Sequence, residues 1–129
     1  MREFVRNILE GMLVEDVDFD EFSDVVEVKE DGIVFITFEA EKKFVPKIAF
    51  GSNWWLARLI LREEVKVNKL TSFVSKVTGV EIELFDEVVI EEDWLLFKWL
   101  DEVVAKIPLD SFEDKADELR RLVDEISSD

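Results

Sequence analysis

The residues best suited to bind a ligand lie in a basic segment, residues 42–62, that contains no acidic side chain. Arg58 and Arg62 are four residues apart, so they share one face of a predicted helix, which two Trp residues flank. An Arg beside a Trp can stack on a base or hold a phosphate or a carboxylate. The candidate residues are Lys42, Lys43, Lys47, Trp54, Trp55, Arg58 and Arg62. The competing interpretation is a buried helix, because the rest of it is apolar.

A second candidate is the acidic run at residues 15–27. Five carboxylates follow the spacing that supplies oxygen ligands to Ca²⁺ in an EF-hand loop. They are Asp16, Asp18, Asp20, Asp24 and Glu27. The resemblance to that loop is partial, because Glu21 occupies the place of the Gly that makes the sharp turn. We predict no specific Ca²⁺ site, and instead a solvated acidic loop or a strand that buries Val17 and Phe19.

The third candidate is an apolar segment, residues 94–106, which is predicted as a helix. Trp94 and Trp99 belong to it, among more apolar side chains than one stripe of a helix can hold. Such a helix is central to a core, or one of its sides meets a partner. Trp94 and Trp99 are therefore candidate partner-binding residues, with burial in the core as the alternative.

The composition argues against most enzyme chemistry. The 129 residues include no His and no Cys, which removes the commonest general base, the thiol nucleophile and zinc–thiolate sites. The four Gly lie far apart, so there is no Gly-rich phosphate loop. A carboxylate pair acting as acid and base stays open, but 32 acidic residues make no pair specific. We predict a non-enzymatic protein without a cofactor.

Charge is sorted along the chain. Net charge is −10 over residues 1–41, +6 over residues 42–80 and −12 over residues 81–129, for a total of −16. Such an acidic protein repels nucleic acid at long range, so nucleic acid is the less favoured partner. No apolar stretch reaches the roughly 18 residues of a membrane span. We predict a cytoplasmic protein, and the absence of Gln with abundant Glu favours a thermophilic source.

The hydrophobic pattern predicts an α+β fold in a single domain, residues 1–129, with an antiparallel sheet packed by several helices. Helices are predicted over residues 2–12, 53–63, 69–78 and 94–106, with a C-terminal amphipathic helix from Ser111. Strands are predicted over residues 25–28, 33–38, 44–50, 80–84 and 88–90. No internal repeat is evident in the sequence.

The first predicted hairpin has a three-residue loop with Gly32 in the left-handed region, which pairs Lys29 with Ile33. We prefer this register because it collects apolar residues on one face, which is expected to be buried. The residues of that face are Val26, Val28, Val34, Ile36 and Phe38.

The order of these segments, with the small size and low pI, resembles the type III secretion chaperone-like fold. The segments are Phe4–Met12, Val25–Phe38, Trp54–Arg62, Val80–Leu84 and Trp94–Val104. The resemblance is architectural, covers about residues 2–106 and includes no motif, and the helix predicted over residues 69–78 departs from it. Members of that family dimerise and hold extended segments of partner proteins, so the resemblance implies a dimer with a protein partner.

The leading prediction is a small acidic binding or adaptor protein that acts through protein–protein contacts, as a homodimer. Its basis is the apolar surplus of residues 54–61 and 94–104. The alternative is an anion or nucleic-acid binder that uses segment 42–62. Burial of both Trp54 and Trp55 would remove that alternative, so their exposure discriminates between the two.

Overall fold

Two three-stranded antiparallel sheets and three α-helices make up residues 1–127, which are the residues that the structure, a computed structural model, describes. The α+β class is therefore confirmed. The helices are α1 (Glu3–Met12), α2 (Trp54–Thr78) and α3 (Ala116–Ser127). The strands are β1 (Phe22–Val28), β2 (Gly32–Thr37), β3 (Lys42–Pro46), β4 (Glu87–Glu91), β5 (Trp94–Trp99) and β6 (Glu102–Pro108). The chain divides into two compact units, Met1–Val65 and Lys66–Asp129.

The first unit packs α1 and the first half of α2 on one face of the sheet β1-β2-β3. Side chains alternate between the two faces of a strand, so every second residue of β2 enters the core. The sheet contributes Phe22, Val25, Ile33, Phe35 and Val45 to this core, and the helices contribute Val5, Leu9, Ala57 and Leu61. The rings of Phe22 and Phe35 stack with centroids 4.6 Å apart.

The register of the first hairpin differs from the predicted one. Val28 pairs with Ile33, and after a bulge Val25 pairs with Phe35. The buried face is thus the one that carries Ile33 and Phe35. Of the predicted buried face only Val28 packs against the core, and Val26, Val34, Ile36 and Phe38 are not part of it. Both alternations of β2 are apolar, so a period of two residues cannot show which one is inside.

Gly32 has a different role from the predicted one, because its φ is not positive. A Cβ at this position would collide with the Phe44 ring and lie 2.5 Å from the carbonyl oxygen of Val45. Glycine is therefore required by the close approach of β3 and not by the turn.

The second unit packs the second half of α2 and all of α3 on the sheet β4-β5-β6. Its core contains Val67, Leu70, Val74, Phe85, Val88, Leu95, Phe97, Ile107, Phe112, Leu119 and Val123. The ring of Phe85 meets that of Phe97 edge to face at 4.9 Å. Helix α2 therefore supplies two cores, with Ala57 and Leu61 in the first and Val67, Leu70 and Val74 in the second.

Several predicted elements in this half of the chain are wrong. The two helices predicted over residues 53–63 and 69–78 are one continuous helix that begins at Trp54, and residues 80–84 form no strand. Residues 94–106 form β5 and β6 instead of a helix. Leu100 and Asp101 between these strands both have positive φ, the conformation of the tightest hairpin turns. The prediction failed because apolar residues on both sides of β5 imitate a buried helix.

An internal repeat, which the sequence did not reveal, relates the two units. From β2 onward the elements recur 62 residues later, so that Gly32–Thr37 corresponds to Trp94–Trp99 and the start of α2, Trp54, to the start of α3, Ala116. The register of the last two strands also recurs, with Ile33 opposite Val45 and Leu95 opposite Ile107. Both prolines of the chain, Pro46 and Pro108, occupy equivalent positions at strand ends.

The connection from the last strand to the following helix also repeats in its backbone angles. Both connections are 3₁₀ segments, Lys47–Asn53 and Leu109–Lys115, each with one residue at positive φ. That residue is Gly51 in the first unit (φ 56°, ψ −134°) and Glu113 in the second (φ 51°, ψ −122°). The fold therefore requires a conformation that glycine adopts freely and glutamate does not.

Exchange of these two residue types tests the repeat. We expect Glu113→Gly to stabilise the protein by about 1 kcal/mol, because the exposed Glu113 is strained. We expect Gly51→Ala to destabilise it by about 1–3 kcal/mol, since its new Cβ would also lie 3.1 Å from Val14. Urea unfolding measures both effects. Asp110→Gly, in the same 3₁₀ segment but without positive φ, is the control and should not stabilise.

A buried ion pair fixes the start of α1. Glu64 of α2 is fully buried, and its Oε2 lies 2.8 Å from Nη2 of Arg2. The Nε of Arg2 also donates to Glu64, and the backbone N–H of Arg2 donates to Oε1 at 3.1 Å. One carboxylate thus satisfies both the guanidinium and a free N–H at the helix start, where negative charge is favourable.

Removal of one partner from this pair should have an asymmetric effect. Arg2→Met leaves the Glu64 carboxylate buried without its cation, so we expect a loss of about 3–5 kcal/mol of unfolding free energy. Glu64→Ala should cost less, because the Arg2 side chain retains 12% exposure and can turn toward water. The exposed pair of Lys43 and Glu21 is the control, and Lys43→Met should leave the unfolding free energy nearly unchanged, because water screens this pair. Equal losses for Arg2→Met and Lys43→Met would contradict the assignment.

Candidate functional site

The two adjacent tryptophans at the start of α2 have different environments. Trp54 is partly buried, and its ring centroid lies 6.0 Å from that of Phe50 at the edge of the first core. Trp55 is rotated by about 100° along the helix and is 64% exposed. The structure thus divides the predicted Trp pair into one packing residue and one surface residue.

The two arginines of the predicted site lie on the same side of α2 as Trp55. Arg62 is exposed and Arg58 is partly exposed. Leu59, four residues after Trp55, is 51% exposed. We call Trp55, Arg58, Leu59 and Arg62 the helix outer face. Within residues 1–127 neither Arg58 nor Arg62 has an ion-pair partner, although the chain carries twice as many acidic as basic residues.

The three lysines of the predicted site do not join the helix outer face as a group. Lys42 pairs with Ile36 and lies on the side of the sheet away from the core. Lys43 donates a hydrogen bond to Glu21 at 3.1 Å, and this bond raises the pKa of the Lys43 ammonium above its ordinary value. Lys47 is exposed at the start of the 3₁₀ segment. The basic segment is therefore not one continuous cationic surface.

Trp94 and Trp99 lie in β5, in the second unit, and are both partly buried. They are five residues apart in a strand, so their side chains are on opposite faces of the sheet. The ammonium of Lys106 lies 4.2 Å from the centre of the Trp94 ring, a cation–π contact. The structure does not bring the two tryptophans together into one surface.

The acidic run is organised around a buried ring. Phe19 is buried in a short 3₁₀ helix, Phe19–Glu21, and the Arg6 guanidinium donates to the carbonyl oxygens of Phe19 and Phe22. Asp16, Asp18 and Asp20 are exposed, whereas Asp24 pairs with the α-amine of Met1 at 3.2 Å and Glu27 follows in the extended β1. Among the described residues, no group of three or more potential ligands could hold a metal ion.

Sequence reasoning missed an apolar surface on the first sheet. We call it the sheet outer face. Strand pairing places Val34, Ile36 and Phe44 on it, and we include the exposed Val26 of the β1 bulge and Phe38 of the turn after β2. Phe38 is 72% exposed and Phe44 is 47% exposed. Four of the five are the residues that were expected to be buried. The signal was present in β2, where Ile33-Val34-Phe35-Ile36 is apolar at consecutive positions and so must place apolar side chains on both faces.

The repeat provides an internal comparison for the sheet outer face. At the positions equivalent to Ile36 and Phe44 the second unit has Lys98 and Lys106. Lys98 lies 3.8 Å from Glu87 and 3.7 Å from Glu91, and Lys106 covers Trp94. The fold therefore accepts charged residues at the positions of Ile36 and Phe44, whereas the positions of Val26, Val34 and Phe38 are also apolar in the second unit, with Val88, Leu96 and Leu100.

The same comparison applies to the helix outer face. Asp117 and Arg121 of α3 occupy the positions of Trp55 and Leu59. Arg121 pairs with Glu125 at 3.0 Å and with Glu118 at 3.7 Å. The helix surface of the second unit is thus charged and internally paired. The equivalent surface of the first unit is apolar, with two arginines that have no ion-pair partner in the described part of the chain.

The second unit also contains a shallow open depression of about 350 Å³. It is lined by Lys69, Phe73, Glu118, Arg121, Leu122 and Glu125. The Arg121 guanidinium is already paired with the two glutamates, so the depression offers few free groups to a ligand.

None of the helices formed by residues 1–127 combines the length and the hydropathy of a membrane-spanning segment.

No protein family profile, curated protein or solved structure matches this chain.

Fluorescence quenching tests the division of the tryptophans. Trp55 is the most exposed of the four, so Trp55→Phe should remove the largest share of the emission that acrylamide quenches. Trp54→Phe should remove emission that is quenched less steeply, because that ring packs on Phe50. Quenching slopes that fall equally in the two variants would contradict the exposure of Trp55.

Proposed function

We propose that this protein is a non-enzymatic, cytoplasmic binding or adaptor protein that acts through protein–protein contacts and forms a homodimer through the sheet outer face. The observation that carries the proposal is the exposure of apolar side chains in the first unit at positions where the second unit has lysines. Apolar patches beyond the ordinary level of a monomer surface mark interaction sites. The absence of His and Cys is consistent with a role that needs no catalysis.

The distribution of charge around the sheet outer face suits a two-fold arrangement. Glu27 of the edge strand β1 lies beside Val34, and Lys42 of the opposite edge strand β3 lies beside Ile36. A two-fold axis parallel to the strands would place β1 of one copy over β3 of the other. Lys42 would then face the acidic edge of the second copy while Ile36 and Phe44 pack across the interface.

An anion or nucleic-acid binder remains the second candidate, supported by Arg58 and Arg62, which have no ion-pair partner among residues 1–127 and lie beside an exposed Trp55. It is less favoured, because Lys43 is engaged by Glu21 and Lys42 lies on another surface. The net charge of −16 also opposes a polyanion.

The resemblance to the type III secretion chaperone-like fold stays a prediction that agrees with a dimeric protein binder. Two of the five segments that suggested it have another structure, since residues 80–84 form no strand and residues 94–104 form no helix. The proposal therefore depends on the exposed surfaces of the first unit and not on the resemblance.

The dimer is tested by giving the first unit the lysine of the second. We expect light scattering coupled to size-exclusion chromatography to give twice the mass of 15.1 kDa for the wild type and the monomer mass for Phe44→Lys. A buried unpaired lysine in an interface costs on the order of several kcal/mol, so dissociation should be complete at micromolar concentration. Ile48→Lys changes another exposed apolar residue and should leave the mass unchanged. A monomeric wild type would contradict the dimer.

A further inference from the structure

We infer that the helix outer face is a docking site for an acidic amphipathic helix of a partner protein. This inference rests on the proposed binding function and names a different surface from the one that forms the dimer. The site consists of an apolar pair, Trp55 and Leu59, beside a basic pair, Arg58 and Arg62. Both pairs have a spacing of four residues, so they form two parallel rows along about two turns of α2.

The apolar row determines the kind of partner surface. Trp55 and Leu59 are 64% and 51% exposed, and a helix row of this kind is matched by apolar residues at similar spacing on a second helix. Large aromatic residues such as Trp are also the commonest anchors of protein interfaces. The partner helix therefore presents Leu-like side chains to this row.

The basic row determines the charge of the partner. Arg58 and Arg62 have no ion-pair partner among residues 1–127, so neither is already neutralised by its own fold. Their guanidinium groups can each hold a carboxylate in bidentate geometry. Glu or Asp residues beside the apolar stripe of the partner would fill these positions.

The second unit shows that this surface is a property of the first unit alone. Its equivalent helix has Asp117 and Arg121 in the apolar row, and Asp124 replaces Arg62. Such a surface offers no apolar anchor and repels an acidic helix. The two units therefore differ in the residues that the docking site requires, although the backbone repeats.

A nucleic acid fits the site less well than a peptide. Two arginines and one exposed Trp provide few phosphate contacts, and Leu59 offers nothing to a phosphate or to the face of a base. The acidic surroundings also repel a polyanion far more than a short amphipathic helix, whose apolar contacts do not depend on charge.

A designed peptide serves as the probe. It has three heptads of Leu-Glu-Glu-Leu-Leu-Glu-Glu, about 21 residues, which is long enough to form a helix. Fluorescence anisotropy of the labelled peptide, titrated with the protein, should show saturable binding at about 0.15 M salt, where the repulsion between the two net charges is screened beyond about 8 Å. A peptide with Ser in place of Leu keeps the charge and should not bind, because it offers nothing to the apolar row.

Variants then locate the peptide. Arg58→Glu with Arg62→Glu, and separately Leu59→Arg, should each weaken binding by about tenfold or more. Arg120→Glu, at the position of the second unit equivalent to Arg58, is the matched control and should leave affinity within about twofold. Far-UV circular dichroism and thermal unfolding confirm that each variant is folded.

The inference would be overturned by an absence of peptide binding to the folded wild type, by equal weakening in Arg120→Glu, or by a single-stranded oligonucleotide that binds the same face more tightly than the peptide. The peptide titration is repeated with Phe44→Lys, which separates the two proposals. Peptide binding that survives in this variant supports docking on the helix whatever the oligomeric state. Loss of binding in Phe44→Lys alone, with the arginine variants unaffected, would place the partner on the sheet and overturn docking on the helix.

Discussion

The buried carboxylate of Glu64 is the interaction on which the first unit depends. It holds the Arg2 guanidinium and the backbone N–H at the start of α1, so it places α1 against α2 where both contribute to one core. At the other end of α1, the Asn53 side chain donates to the carbonyl oxygen of Met12. Helix α1 is thus held at both ends by polar contacts, to Glu64 within α2 and to Asn53 just before it, and apolar side chains pack between the two helices.

The repeat explains why this carboxylate occurs only once. In the second unit the position equivalent to Glu64 is Ile126, which packs partly against the core. The helix that precedes the second sheet is the continuation of α2, so it has no free N-terminus that needs a carboxylate. Glu64 is charged because a helix, α1, begins beside it. Its equivalent, Ile126, is apolar because α2 continues without a break into the second unit. One architecture therefore accommodates two residue types according to whether backbone donors are left unpaired.

The sequence predicted the fold class and several helices and strands, but it did not predict how the first sheet is oriented or that the fold repeats. Hydrophobic periodicity, together with turn and capping residues, predicted the α+β class. It also predicted helix α1, the hairpin of β1 and β2, and strand β4. The sequence did not predict which face of the first sheet is buried, nor did it predict strands β5 and β6. Both sides of β2 and β5 are apolar, so these segments show no period of two residues. The repeat escaped notice because its evidence lies in backbone angles at Gly51 and Glu113 and in strand register, while few residues are identical. Of the predicted site, Trp55, Arg58 and Arg62 lie together, whereas Trp54 and the lysines were separated by packing and by strand alternation that residue spacing does not report.

The two equivalent prolines limit the aggregation that exposed apolar surfaces on a sheet could otherwise promote. Pro46 and Pro108 close β3 and β6, each an edge strand of its sheet, and neither has a backbone N–H to offer to an added strand. Register shifts interrupt the pairing of β1 and of β6 as well. Backbone templating, the route by which exposed sheet edges lead to fibrous aggregates, is thereby blocked at the ends of these edges. Association through side chains on a face can then evolve without opening the path to polymerisation through strands.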